Sequence, residues 1–214
     1  MIEADRKEIR RYIGLKNTEV PEVDAMIERC LKRLQKVIRP VSVFRSFPVA
    51  FEDGMPVIAG HSTYSKDLAR NLSGCREAVL LACTISAEAD RCIRRAESIS
   101  SLEGTVMNAC GSALAEAYCE SLNREITAKY AVQGIHTRPR YSPGYGDLAL
   151  SFQKEFFELL NVTKYTGIVL NDSFMMVPLK SITAVIGLAE EETDCADSGC
   201  ETCSKQNDCE YRRM

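Results

Sequence analysis

Two stretches of this 214-residue chain carry residue types that do chemistry as well as pack. The first is Arg140-Tyr-Ser-Pro-Gly-Tyr145, which sets a cation, a backbone stiffened by Pro143 and opened by Gly144, and an aromatic face within one turn. An arginine fork holds a carboxylate through two parallel hydrogen bonds, a glycine lets a ligand approach the main chain, and a tyrosine ring covers an adenine or a cationic group. The combination reads as a small-molecule site. The plainer alternative is a connecting loop whose Arg140 pairs with a surface acid. The second stretch is Cys195, Cys200, Cys203 and Cys209, a C-x4-C-x2-C-x5-C array with no apolar stretch around it. Four thiolates so spaced suit tetrahedral zinc or an iron–sulfur cluster, with paired disulfides or free thiols as the alternatives.

Composition narrows the setting. The other cysteines, Cys30, Cys75, Cys83, Cys92, Cys110 and Cys119, are spread singly through apolar patterns and read as buried thiols in a reducing compartment. A net charge of -3 and a basic run, Asp5–Arg11, flanked by acids argue against nucleic acid as a partner. No apolar run approaches the roughly 18 residues of a membrane span, and Met-Ile-Glu-Ala-Asp at the start has no apolar signal region, so a cytoplasmic protein is expected. His61 and His136 have no second His or Cys nearby in sequence and read as hydrogen-bonded residues, not ligands.

The elements that must position the loop follow from periodicity. Helices are expected over 3–13 and from Pro21, with Val23, Met26, Ile27, Cys30, Leu31 and Leu34 at helical spacing. From Val41 to Phe51 the pattern becomes that of a strand, and Asp53-Gly54 turns it back through Val57-Ile-Ala59 as a hairpin. Ser65 caps a short helix ending near Leu72, and Ala78–Cys83 is a strand buried on both faces. Thr84 to Ser86 cap a helix over 87–99. A longer one follows over about 102–131, with Met107, Cys110, Leu114, Tyr118 and Leu122 as its apolar stripe. On that helix Glu116 faces away from the stripe, beside Ala109, Ser112 and Ala113, which would leave room for a ligand. The bland alternative for Glu116 is a solvated helix face. Beyond the loop come a helix over Ser151–Leu160 and strands at Ile168–Leu170 and Ser181–Leu188. With no regular strand–helix alternation and no glycine-rich nucleotide motif, the pattern is α+β, a mixed or antiparallel sheet with several helices including one long central helix.

The run Gly134-Ile-His-Thr-Arg-Pro-Arg-Tyr-Ser-Pro-Gly-Tyr-Gly-Asp147, with Glu158-Leu-Leu-Asn-Val162, Thr166-Gly167 and Asp172-Ser-Phe-Met-Met-Val-Pro178, resembles the activation domain of cobalamin-dependent methionine synthase. That family binds S-adenosylmethionine through R-x-x-x-G-Y, which Arg140, Gly144 and Tyr145 match in order, and Leu114-Ala-Glu-Ala-Tyr118 places Glu116 where it has an acidic ligand contact. The resemblance is good over about residues 105–186. It implies an activation-domain-like unit over 1–190 and a Cys-rich tail over 191–214. It also implies that Arg140 takes the ligand's carboxylate, Glu116 its ammonium and Tyr145 its adenosine or sulfonium end. Gly146-Asp147 stand where the large enzymes have a proline and a small residue.

The chain has no D-x-H-x-x-G stretch for cobalamin, so the resemblance implies a stand-alone activation subunit whose cobalamin sits on a partner chain, either a methionine synthase or another corrinoid protein. The reaction it implies is reductive remethylation. A cob(II)alamin takes one electron, and the sulfonium of S-adenosylmethionine gives a methyl group to the resulting cob(I) nucleophile, so no protein acid or base is required. A cluster on the tail cysteines would relay that electron, and a separate electron-donor protein is the other source. Two other classes stay open, a regulatory S-adenosylmethionine-binding subunit without electron transfer and a zinc-stapled interaction protein.

Overall fold

The computed structural model describes residues 2–15 and 20–191, so Cys195, Cys200, Cys203 and Cys209 lie outside the described residues. In chain order the helices are α1 (Arg6–Tyr12), α2 (Pro21–Val37), α3 (Lys66–Asn71), α4 (Ala87–Ile99), α5 (Ser101–Ala131), α6 (Gln153–Leu160) and α7 (Val162–Thr166). The strands are β1 (Val41–Glu52), β2 (Met55–Ile58), β3 (His61–Ser62), β4 (Glu77–Thr84), β5 (His136–Thr137), β6 (Val169–Leu170), β7 (Met176–Val177) and β8 (Ser181–Ala189). The chain divides into two compact units, one of Met1–Ser42, Cys83–Leu122 and Thr166–Ile182, the other of Val43–Ala82, Asn123–Tyr165 and Thr183–Met214.

Helix packing builds the first unit. Pro21 starts α2, where its missing N–H costs nothing and its fixed φ suits the first turn. The helical spacing then puts Ile27, Cys30, Leu31 and Leu34 in one cluster with Ala89 and Ile93 of α4 and Val106, Met107, Cys110 and Leu114 of α5. Full burial of each of the larger apolar side chains contributes about 1.5–3 kcal/mol. Ala109, Ala113 and Ala115 are buried in the same cluster, so α5 is apolar well beyond the stripe the sequence suggested. This corrects the expectation that Ala109 and Ala113 would leave open space beside Glu116. A helix apolar on most of its circumference must be enclosed on most of it. Burial also pushes the Cys110 thiol up to about 12, with neighbouring Cys30 adding to the effect, so Cys110 is an inert packing group. Five of the six scattered cysteines are buried, and Cys92 is the exception at intermediate exposure.

One polar seam runs through this unit. Leu179 N donates to Asp90 Oδ2 at 2.7 Å, and Lys180 Nζ donates to Asn108 Oδ1 at 2.8 Å and Ser112 Oγ at 2.9 Å. Burial lowers the Lys180 pKa, although Asp90 and Glu97 pull the other way. Ser86 precedes α4 but does not cap it with its hydroxyl. That oxygen accepts from Arg39 N instead, while Thr84 Oγ1 accepts from Ser86 N.

The second unit holds the sheet, in strand order β3-β2-β1-β4-β8-β5. The β1–β2, β2–β3 and β5–β8 pairs are antiparallel, as is the separate β6–β7 pair in the first unit, which agrees with an α+β architecture. Asp53 and Gly54 turn β1 into β2 with φ of 49° and 77°, the two positive values a tight hairpin requires. The continuous apolar run Ala78–Cys83 lies in β4, between β1 and β8, where a strand covered on both faces has no polar side to show. The helix expected from Ser151 begins as a 3-10 turn, Leu150–Phe152, before α6 takes over at Gln153. Of the four two-residue strands, β3, β5 and β7 carry too few residues to leave a periodic signal, while β6 falls within the expected Ile168–Leu170.

Candidate functional site

The Arg140 loop belongs to the second unit and hangs from β8. Register runs evenly through His136↔Ala189 and Thr137↔Leu188, and Arg138 N continues it by donating to Gly187 O at 2.8 Å. Tyr141 then pairs with Val185 through both main-chain hydrogen bonds, at 2.8 and 2.7 Å. From Arg138 to Tyr141 is three steps, and from Gly187 to Val185 is two, so one extra residue bulges out at Pro139-Arg140. A bulge is where a proline is tolerated in a sheet and where a side chain is re-aimed. Here the residues at the bulge are Pro139 and Arg140.

Beyond the bulge the loop is tied to itself. Gly144 N donates to Leu148 O at 2.9 Å, Tyr145 N to Ser142 O at 3.1 Å and Leu148 N to Tyr145 O at 3.0 Å. Gly144 has φ 91°, a value L residues rarely adopt. Tyr145 is 65% exposed. Gly146 is required by space, since a Cβ there would run into Tyr141 Oη and Asp67 Oδ2.

The short helix α3 holds this loop along its whole length. At the N-terminal end Asp147 accepts from Ser65 Oγ, from Lys66 N at 2.8 Å and from Asp67 N at 3.2 Å, while Ser65 Oγ accepts from Leu68 N. Partial burial opposes ionisation of Asp147, but these donors outweigh it and hold its carboxyl below the usual aspartate value. In the middle, Tyr141 Oη donates to Asp67 Oδ2 at 3.4 Å. At the C-terminal end Asn71 Nδ2 donates to Pro139 O at 3.0 Å, and Arg138 Nη2 donates to Ser73 O at 3.2 Å. Arg138 is only 6% exposed, and its Nε has no hydrogen-bond partner among the described residues. A buried guanidinium with an unmet donor is costly, and its stem packs against Gly187, where a Cβ would come within 2.9 Å of Arg138 Cγ.

Arg140, Gly144 and Tyr145 thus all lie in this one hydrogen-bonded loop. Glu116 lies on α5 in the first unit, half-buried. Asn71, Arg138, Tyr141 and Asp147 were not singled out from sequence. Asp147 replaces a small residue in the family pattern, and that departure was the one available signal. Asn71 and Arg138 meet through tertiary contact alone and leave no local trace.

A family model described as "Vitamin B12 dependent methionine synthase, activation domain" matches residues 68–207. The crystal structure of the MetH reactivation domain bound to AdoHcy is similar to this chain with a TM-score of 0.60 at 21% identity, over 85% of this chain and 70% of that one. No curated protein matches the chain. Among the described residues no helix is long and apolar enough to cross a membrane.

Proposed function

The chain belongs to the vitamin B12-dependent methionine synthase activation-domain family, and from that premise we propose that it binds S-adenosylmethionine as the methyl donor that returns an oxidised cobalamin on a partner chain to service. The observation that supports the reading is the Arg140 loop, which has Arg140 at a bulge, a left-handed Gly144 and a largely exposed Tyr145 in succession. Arg140 takes the ligand's carboxylate as a charge-assisted fork, and Tyr145 covers the adenosine or sulfonium end. Glu116 is proposed for the ammonium on its charge and on the family pattern, with Glu116→Gln as its own test.

A sulfonium is already a good leaving group, so the protein's part is binding and orientation, not proton transfer. Arg140, Glu116 and Tyr145 would hold S-adenosylmethionine so that its S–CH3 bond could break and S-adenosylhomocysteine leave, the methyl acceptor being a cobalamin that a low-potential donor would first have reduced by one electron. Cys195, Cys200, Cys203 and Cys209 are proposed as a zinc or iron–sulfur ligand set. In the iron–sulfur case they would relay that electron. The partner is a methionine synthase chain or another corrinoid protein.

The test is anaerobic. The protein is mixed with S-adenosylmethionine, a cob(II)alamin-loaded partner and a low-potential reductant, and the cobalamin spectrum is followed. Conversion to methylcobalamin that depends on both S-adenosylmethionine and this chain is the expected result. Tight S-adenosylmethionine binding with no conversion would replace this reading by a regulatory subunit. No binding in calorimetry would sink both.

A further inference from the structure

We propose that His61, Glu155 and Glu158 form a binding site for a first-row divalent metal ion at the edge of the sheet, separate from the Arg140 loop. His61 begins β3, the outermost strand of the sheet, where its pairing with Ile58 of β2 fixes its place. Glu155 and Glu158 lie three residues apart on α6, so their carboxylates leave the helix on one side, while Phe156 and Leu160 bury its other face. His61 Nδ1 stands 2.6 Å from Glu155 Oε2, and one donor atom from each of the three residues lies within 4.8 Å of the other two.

Three features of this cluster point to a cation. Donors around an ion with bonds of about 2.1 Å stand roughly 3–3.5 Å apart, so the 2.6 Å pair need open by about half an ångström to an ångström and the third donor, within 4.8 Å, close by less than about 2 Å, which side-chain rotation supplies. The charge is unbalanced. Two carboxylates share a single imidazole, and the Glu158 carboxylate has no hydrogen-bond or ion-pair partner among the described residues. Side chains of His61 and Glu155 are 29% and 28% exposed and Glu158 is exposed, so an ion can enter from solvent while two of its ligands are partly desolvated. The donor set selects the metal. One imidazole nitrogen with two carboxylate oxygens suits Mn2+, Fe2+, Co2+ or Zn2+ and leaves positions for water, whereas Mg2+ and Ca2+ favour oxygen alone.

Sequence alone does not reach this site, because the partners of His61 are carboxylates brought from a distant helix and no second His or Cys lies nearby. The inference does not rest on S-adenosylmethionine binding, since none of the three residues belongs to the Arg140 loop.

Mn2+ is the probe of choice, because thiolates bind it poorly and the tail cysteines then stay silent. The full-length chain is titrated with Mn2+, and free ion is followed by its electron paramagnetic resonance signal. One ion retained per chain, and displaced by Zn2+ as the stronger binder, is the expected result. Loss of one ligand should weaken retention by more than about tenfold, since even the loss of an outer-shell partner costs that much. His61→Ala tests the imidazole. Glu158→Gln is the second variant, because a carboxylate without a protein partner can be neutralised without unfolding the chain, and it should leave the melting temperature of the metal-free protein unchanged. No Mn2+ retention by the wild type, or undiminished retention in Glu158→Gln, overturns the proposal.

Discussion

The two compact units are held by different means. In the first, α2, α4 and α5 close on one another through buried side chains such as Leu34, Ile93 and Met107, with ion pairs such as Arg10–Asp24 and the polar seam at Asp90 and Lys180 beside that packing. In the second, the Arg140 loop has few buried apolar side chains of its own and is held by directed hydrogen bonds from Asp147, Asn71 and Arg138. Apolar packing is non-directional and tolerates many side chains of similar volume. A binding turn needs direction, and hydrogen bonds to main-chain carbonyls and N–H groups supply it. The contrast teaches that stability and ligand geometry are stored in separable places.

That separation can be broken in order of expected effect. Leu34→Ala should cost about 2–5 kcal/mol of stability in urea unfolding, through lost transfer and the cavity left behind. It should leave S-adenosylmethionine affinity of the folded fraction intact, and a matching loss of affinity would erase the distinction. Arg140→Ala should do the reverse. Binding by calorimetry should weaken by about 1.5–3 kcal/mol, the range of a charge-assisted hydrogen bond, with little change in unfolding. Unchanged affinity would remove Arg140 from the site.

Asn71→Ala sharpens the contrast, since the Asn71 amide donates to the main chain of the bulge, at Pro139 O. A loss of about 1 kcal/mol in affinity is expected, with faster hydrogen exchange in residues 138–148. The smallest effect is that of Asp147→Asn, worth under about 1 kcal/mol at the α3 terminus. Its sign with pH is definite. Because the folded carboxyl titrates below its usual value, its contribution is present above about pH 4 and is lost as pH falls through the folded pKa. The variant should flatten the acid limb of a melting-temperature profile, and an unaltered limb would show that Asp147 is not the group responsible.

Much of the frame was legible in the residues. Pro21 and the spacing behind it located α2, Ser65 located the start of α3, and Asp53-Gly54 located the hairpin turn, each because the signal is local. The R-x-x-x-G-Y spacing singled out Arg140, Gly144 and Tyr145 for the same reason. Glu116 is a different case. Helical spacing placed it beside Ala109 and Ala113, but spacing says which residues share a face and not what covers that face, and the alanines proved to be core. His61 was taken as a hydrogen-bonded residue, and it does contact Glu155, but Glu158 beside them was out of reach of any pattern along the chain.

By itself, then, the sequence determined the helices and strands with periodic patterns, the loop with its cation, glycine and aromatic ring, and through that loop the family. Only the tertiary structure decided the bulge at Pro139-Arg140, the α3 contacts that hold the loop, the enclosure of α5 and the meeting of His61 with two glutamates. The division is physical. Local signals arise from steric and hydrogen-bonding preferences within a few residues, whereas bulge register, buried partners and ligand clusters depend on contacts between segments far apart in the chain.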